Sequence, residues 1–133
     1  MLEGKKILLV ITGGIAAYKS LELIRLLQVN KASVVPVMTK SSQQFVTPLS
    51  VSAIAGSKVY TELFDLTAEA EMGHIELSRS ADIILVAPAS ADFLSKMAQG
   101  TCADLASTLL LATDKPVLVA PSMYVRMWHH PAR

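Results

Sequence analysis

The chain has 133 residues, 52% of them hydrophobic and 17% charged, which suits one domain with a real core and excludes a disordered tail. Twelve Lys and Arg against eleven Asp and Glu leave a formal charge of +1, so no broad electrostatic footprint for nucleic acid or an anionic membrane exists. No apolar run reaches the roughly 18 residues of a spanning helix, the opening "MLEGKKILLV" lacks a signal-peptide cleavage pattern, and the single Cys102 cannot close an internal disulfide, so a cytoplasmic protein is expected.

In chain order, "KILLVIT" (residues 6–12) is a short β-branched run that meets Gly13-Gly14 and then helix-forming sequence, the pattern of a buried strand, a tight turn and a helix. In that helix Ala17, Leu21, Ile24 and Leu27 recur at steps of three and four, which sets one face against a sheet. "SVVPVMT" (33–39), "ADIILVAP" (81–88) and "KPVLVAP" (115–121) repeat the apolar run, separated by helical material such as "LSVSAIAG" and "ADLASTLLLA". Residues 63–73 are polar and aperiodic and read as a loop, with a helix expected to begin near His74. Alternation of strands and helices predicts a three-layer α/β fold, a parallel sheet with helices on both faces. Such sheets bind ligands beyond the carboxyl ends of their strands. The stretches found there are "TGGIAA", "TKSSQQF", "PASADF" and "PSMYVRMW", and all four are expected to converge on one edge.

With those stretches, together with "VMTKSSQQFVTP" and "GHIELS", the chain resembles the flavin-containing cysteine decarboxylases, most closely the phosphopantothenoylcysteine decarboxylase domain of coenzyme A biosynthesis. The resemblance spans essentially the whole chain and implies a Rossmann-like (flavodoxin-like) fold with bound FMN. It implies a single FMN-binding domain over residues 1–133, lacking the family's C-terminal substrate-covering segment with its catalytic cysteine. The implied reaction is decarboxylation of 4'-phosphopantothenoylcysteine to 4'-phosphopantetheine. A homotrimer or a multiple of it is implied too, in keeping with a mean hydropathy of +0.45, as is a fused or separate phosphopantothenate-cysteine ligase.

The resemblance assigns the FMN site to Gly13, Gly14 and Ile15, to Thr39, Ser41 and Phe45, and to Ser90, Ala91 and Asp92. Glycines at a strand-to-helix junction let backbone N–H groups approach a phosphate; an ordinary tight turn is the other reading. The hydroxyls of Thr39, Ser41 and Ser90 read equally as helix caps, and Phe45 as either a ligand contact or core. His74, in "GHIELS", stands at the place of the family's base, and histidine titrates near neutrality. Met123 and Tyr124 match the substrate-contacting part of a Pro-x-Met-Asn-x-x-Met-Trp motif, with Tyr124 in place of Asn, and "PASADF" replaces Asn-Thr by Asp92 and Phe93. Tyr124 is expected to impair turnover, which keeps open a non-catalytic FMN-binding homologue; a flavin prenyltransferase of related fold is disfavoured by "PSMYVRMW". No metal site is expected. His129 and His130 are adjacent and should point apart, and Cys102 lies outside every motif.

Overall fold

A strand buried on both faces needs an unbroken apolar run, and β1 (Lys6–Ile11) supplies one. A computed structural model of the chain describes residues 2–62 and 70–132, without the side chains of Ala70, Glu71, Met72 and His74. β1 lies inside the sheet, pairing parallel with β2 (Ser33–Met38) from Lys6 opposite Ser33 to Ile11 opposite Met38.

A 3-10 turn (Ile15–Tyr18) and α1 (Lys19–Val29) return the chain from β1 to β2. α2 (Pro48–Ala55) follows β2. It starts where Thr47 Oγ1 accepts the Ser50 N–H at 3.0 Å and Pro48 occupies the first turn, a position whose missing N–H costs no helical bond. Tyr60 then bonds along the outer edge of β2, donating to Pro36 O and accepting from Met38 N.

α3 (Ala70–Ser80) precedes β3 (Ile83–Ala89), which pairs parallel with the other side of β1, Ile7 opposite Ile83 and Val10 opposite Val86. The loop expected over residues 63–73 is therefore corrected: the last four of them are already helical, and residues 63–69 lie outside the described part. Polar composition does not exclude helix, since Ala70, Glu71 and Met72 are all good helix formers. α4 (Ala91–Gln99) and α5 (Leu105–Ala112) follow, the latter opened by a reciprocal capping box of Asp104 and Ser107. β4 (Val117–Pro121) pairs with β3, and the short α6 (Val125–Trp128) comes after it.

The strand order is β2-β1-β3-β4, all parallel, which is flavodoxin-like winding. Alternation along the strands splits the core. Leu9, Ile11, Val34 and Met38 meet Ile24 of α1 and Val51 of α2 on one face. Leu8, Val10, Ile84 and Val86 meet Phe93 of α4 and Leu105 and Leu109 of α5 on the other, with Leu77 of α3 packed alongside. These are the three layers the alternation of elements predicts. Among the described residues no helix is long and apolar enough to cross a membrane.

The two ends of this gradient of burial differ in energy. Leu9 is fully buried, whereas Leu118 on β4 is 59% exposed. Leu9→Ala should cost about 2–5 kcal/mol through lost burial and a cavity, and Leu118→Ala within about 0.5 kcal/mol. Urea unfolding of the two variants checks this, and equal costs would contradict the layered core.

Candidate functional site

The site begins at the carboxyl ends of β1 and β3. Thr12 is buried, its Oγ1 donating to Pro88 O at 2.5 Å and accepting the Ser90 N–H at 2.8 Å, while its own N–H donates to Pro88 O at 3.2 Å. A hydroxyl can both donate and accept, so one side chain ties two segments 76 residues apart in sequence. Beyond this tie the chain leaves β1 towards one face and β3 towards the other, which is the topological switch point where open α/β sheets form crevices.

The loops after β1 and β2 approach closely. A Cβ on Gly13 would lie 2.8 Å from the Ser41 Cβ and closer still to its Oγ, so only glycine permits this contact. Gly14 has φ 151°, a conformation that side chains rarely adopt. Thr39 Oγ1 accepts the Ser42 N–H at 3.2 Å and lies 3.4 Å from Ser41 Oγ. Thr39 thus caps its turn, the alternative reading of that hydroxyl, and still borders the crevice. Among the described residues the amides of Gly13, Gly14 and Ile15, and those of Lys40 and Ser41, have no hydrogen-bond partner. Free N–H groups grouped on adjoining loops form an anion-binding concavity.

The crevice encloses about 400 Å³ and is bordered by Thr12, Thr39 and Ser41, by Ser90 and Asp92 of the β3 to α4 turn, and by Phe93. Ser90 caps α4, its Oγ accepting the Phe93 N–H at 3.1 Å; the amides of Ala91 and Asp92 that open this helix have no partner among the described residues, and a helix N-terminus favours negative charge. Asp92 pairs with Lys96 at 3.1 Å, an exposed i,i+4 pair worth little. Asp104 Oδ1 is already held by the Ser107 N–H and hydroxyl at 2.9 and 2.5 Å. Lys40 is therefore the cation on the rim with no partner among the described residues. Sequence reasoning passed over Thr12, Lys40, Gln44, Lys96 and Asp104, all of which border the crevice. Lys40 had a signal, standing between the two hydroxyl residues it accompanies; Asp104 reaches the crevice only through packing.

Other expected site residues lie elsewhere. The Ile15 side chain is 78% exposed and outside the crevice, which leaves its amide as the group near the glycine loop. Phe45 is 48% exposed, neither core nor a wall of the crevice. All four stretches follow the carboxyl ends of parallel strands and so lie at one edge, and three of them border the crevice. "PSMYVRMW" is held to the end of β3 by the Ser122 N–H on Ala89 O at 3.0 Å, yet its Pro121 and Ser122 border a separate depression with Ala87 and Lys19. Met123 is half-buried and Tyr124 is 67% exposed; neither borders the crevice. The cause is β4, an outer strand displaced from the switch point by one strand width. His74 lies on α3, and its side chain is outside the described residues. Cys102 is exposed and free, and among the described residues no cluster of three His, Cys, Asp or Glu could hold a metal. His129 and His130, expected to point apart, both border one groove with Arg126, because a turn after α6 replaces regular helix there.

The profile of the Flavoprotein family matches residues 1–133. The chain belongs to the flavoprotein family. It is 53% identical over 131 residues to the coenzyme A biosynthesis bifunctional protein CoaBC of Vibrio vulnificus (strain YJ016), covering 98% of this chain and 33% of the relative. The flavoprotein chain thus spans about a third of the length of the curated relatives it matches. Among solved structures it is similar to the FMN-dependent cysteine decarboxylase SpaF, with a TM-score of 0.89 and 28% identity over 99% of this chain and 76% of that one. It is also similar to a variant of PPC decarboxylase complexed with pantothenoylaminoethenethiol, with a TM-score of 0.77 and 35% identity over 96% of this chain and 72% of that one.

The Thr12 tie makes a prediction. Thr12→Val keeps the shape but leaves the Ser90 N–H without its acceptor, a loss of about 1–3 kcal/mol for a buried group, while Thr12→Ser should keep most of the stability. Chemical denaturation of the three proteins checks it; a valine variant as stable as the parent would contradict the tie.

Proposed function

We propose that this flavoprotein domain binds FMN and decarboxylates 4'-phosphopantothenoylcysteine to 4'-phosphopantetheine in coenzyme A biosynthesis. The observation that carries the reading is the pair of loops joined at Gly13 and Ser41, whose amides, unpartnered among the described residues, stand beside a crevice at the switch point between β1 and β3. The residues fit the cofactor. The amides of Gly13, Gly14 and Ile15 with the hydroxyls of Thr39 and Ser41 suit a single phosphate, helped by the Lys40 cation. Ser90, Ala91 and Asp92 offer a hydroxyl and two amides to a polar ring edge, and Phe45, which ends the turn after β2, is a proposed contact on the strength of the resemblance. FMN, when bound, supplies the reversible oxidation without which a cysteine derivative has no electron sink for the carbanion left by CO2.

The protein's part is to position and to move a proton. His74 on α3 is the proposed base, and Met123 with Tyr124 the proposed substrate contacts, on the strength of the resemblance to the cysteine decarboxylases. The CoaBC relatives are named bifunctional, which supports a phosphopantothenate-cysteine ligase as the partner activity. Exposed Tyr18, Leu26, Val29 and Leu49 on the α1 and α2 side support a homo-oligomer, a trimer or a multiple of it. Tyr124, where the family has Asn, favours a second reading, an FMN-binding homologue without turnover; bound FMN with no CO2 release from substrate would select it.

Gly13→Ala should lower FMN affinity at least about tenfold, since the displaced Ser41 loop can no longer present its donors. Fluorescence titration with FMN reads this, and unchanged affinity would overturn the proposed phosphate site. His74→Asn should keep FMN bound and lower its anaerobic reduction by substrate by about 10²–10⁴-fold, the usual contribution of a positioned base. Reduction at the parental rate would remove His74 from the chemistry.

A further inference from the structure

A groove separate from the crevice runs between α4 and the end of the chain. Arg126 of α6, His129 and His130 border one side of it and Ala91 and Ser95 of α4 the other. Among the described residues no acidic one borders it, in contrast to the crevice with Asp92 and Asp104. Arg126 has no ion pair among the described residues, and its guanidinium is permanently charged. The Ala132 N–H donates to His130 Nδ1 at 3.1 Å, which leaves Nε2 as the protonated nitrogen of the neutral ring, a donor.

The two depressions adjoin. Ala91 and Ser95 are four apart on α4, and so are Asp92 and Lys96 on the crevice side; at 3.6 residues per turn these two faces stand roughly 100° apart around the helix. A ligand reaching over the first turns of α4 would touch both. The proposed substrate is long, with its cysteine carboxylate at one end and a dianionic phosphate at the other.

We propose that Arg126, His129 and His130 form an anion subsite for the 4'-phosphate of the substrate, which selects the phosphorylated over the dephosphorylated compound. This rests on the decarboxylase reading. Lys40 and the glycine loop are left to the cofactor, so the two phosphates are taken by different basic groups on neighbouring faces of α4.

The test is calorimetric titration of the FMN-loaded chain with 4'-phosphopantothenoylcysteine and with pantothenoylcysteine, which keeps the carboxylate but lacks the phosphate. The parent should bind the phosphorylated compound roughly tenfold or more tightly, as charge-assisted hydrogen bonds imply. Arg126→Ala and the pair His129→Ala with His130→Ala should erase that preference with unchanged affinity for pantothenoylcysteine and FMN, and Arg126→Lys should keep part of it. A preference that survives both variants, or an equal loss for both compounds, overturns the phosphate subsite alone. A parent chain that holds FMN but binds neither compound overturns the substrate reading, and the subsite with it.

Discussion

One threonine hydroxyl organises the functional end of this molecule. By donating to Pro88 O and accepting from the Ser90 N–H, Thr12 locks the ends of β1 and β3 at the point where their onward paths diverge. A parallel sheet sets strand spacing but leaves the residues beyond the strands to their own partners. Without the hydroxyl the start of α4, and with it Ser90 and the amides of Ala91 and Asp92, would be related to the glycine loop through the Thr12 N–H on Pro88 O and the strand pairing alone. The other wall depends on an absence, since the loop after β2 reaches the loop after β1 only because Gly13 has no side chain.

The crevice is thus built from satisfied side chains and unsatisfied backbone. Among the described residues no buried side-chain donor or acceptor lacks a partner; Thr39, Ser42, Ser90 and Asp104 are each spent on local caps. What remains for a ligand is a set of N–H groups and hydroxyl hydrogens whose positions are already held, and donors held in place before binding need no reorganisation. Capping and ligand binding are therefore compatible roles for the same hydroxyl, because a hydroxyl accepts along one direction and donates along another.

The apolar surface has its own distribution. Among the described residues the face formed by α4 and α5 covers its large residues except Leu111, while Tyr18, Leu26, Val29 and Leu49 on the α1 and α2 side, and Leu118, Val125 and Trp128 around β4, are exposed. Single exposed apolar residues are ordinary, but groups of them on two sides of a small domain mark surfaces that suit burial against other protein.

By itself the sequence determined the layers. The apolar runs at Lys6–Ile11, Ser33–Met38 and Ile83–Ala89 alternate with helical segments, and burial on both faces leaves such runs no alternative to a parallel sheet. The glycine pair and the hydroxyls after β2 were legible as well, since a strand-to-helix junction restricts which residues can stand there. The start of α3 was not, because helix boundaries respond to packing such as that of Leu77 against α5 more than to local composition. Only the tertiary structure decided that Thr12 is the tie, that Lys40 and Asp104 share a rim, that Phe45 and Ile15 turn outward, and that His129 and His130 meet Arg126 in one groove. Each of these depends on distances between segments far apart in the chain, and local periodicity carries no information about which distant loops a strand order will bring side by side.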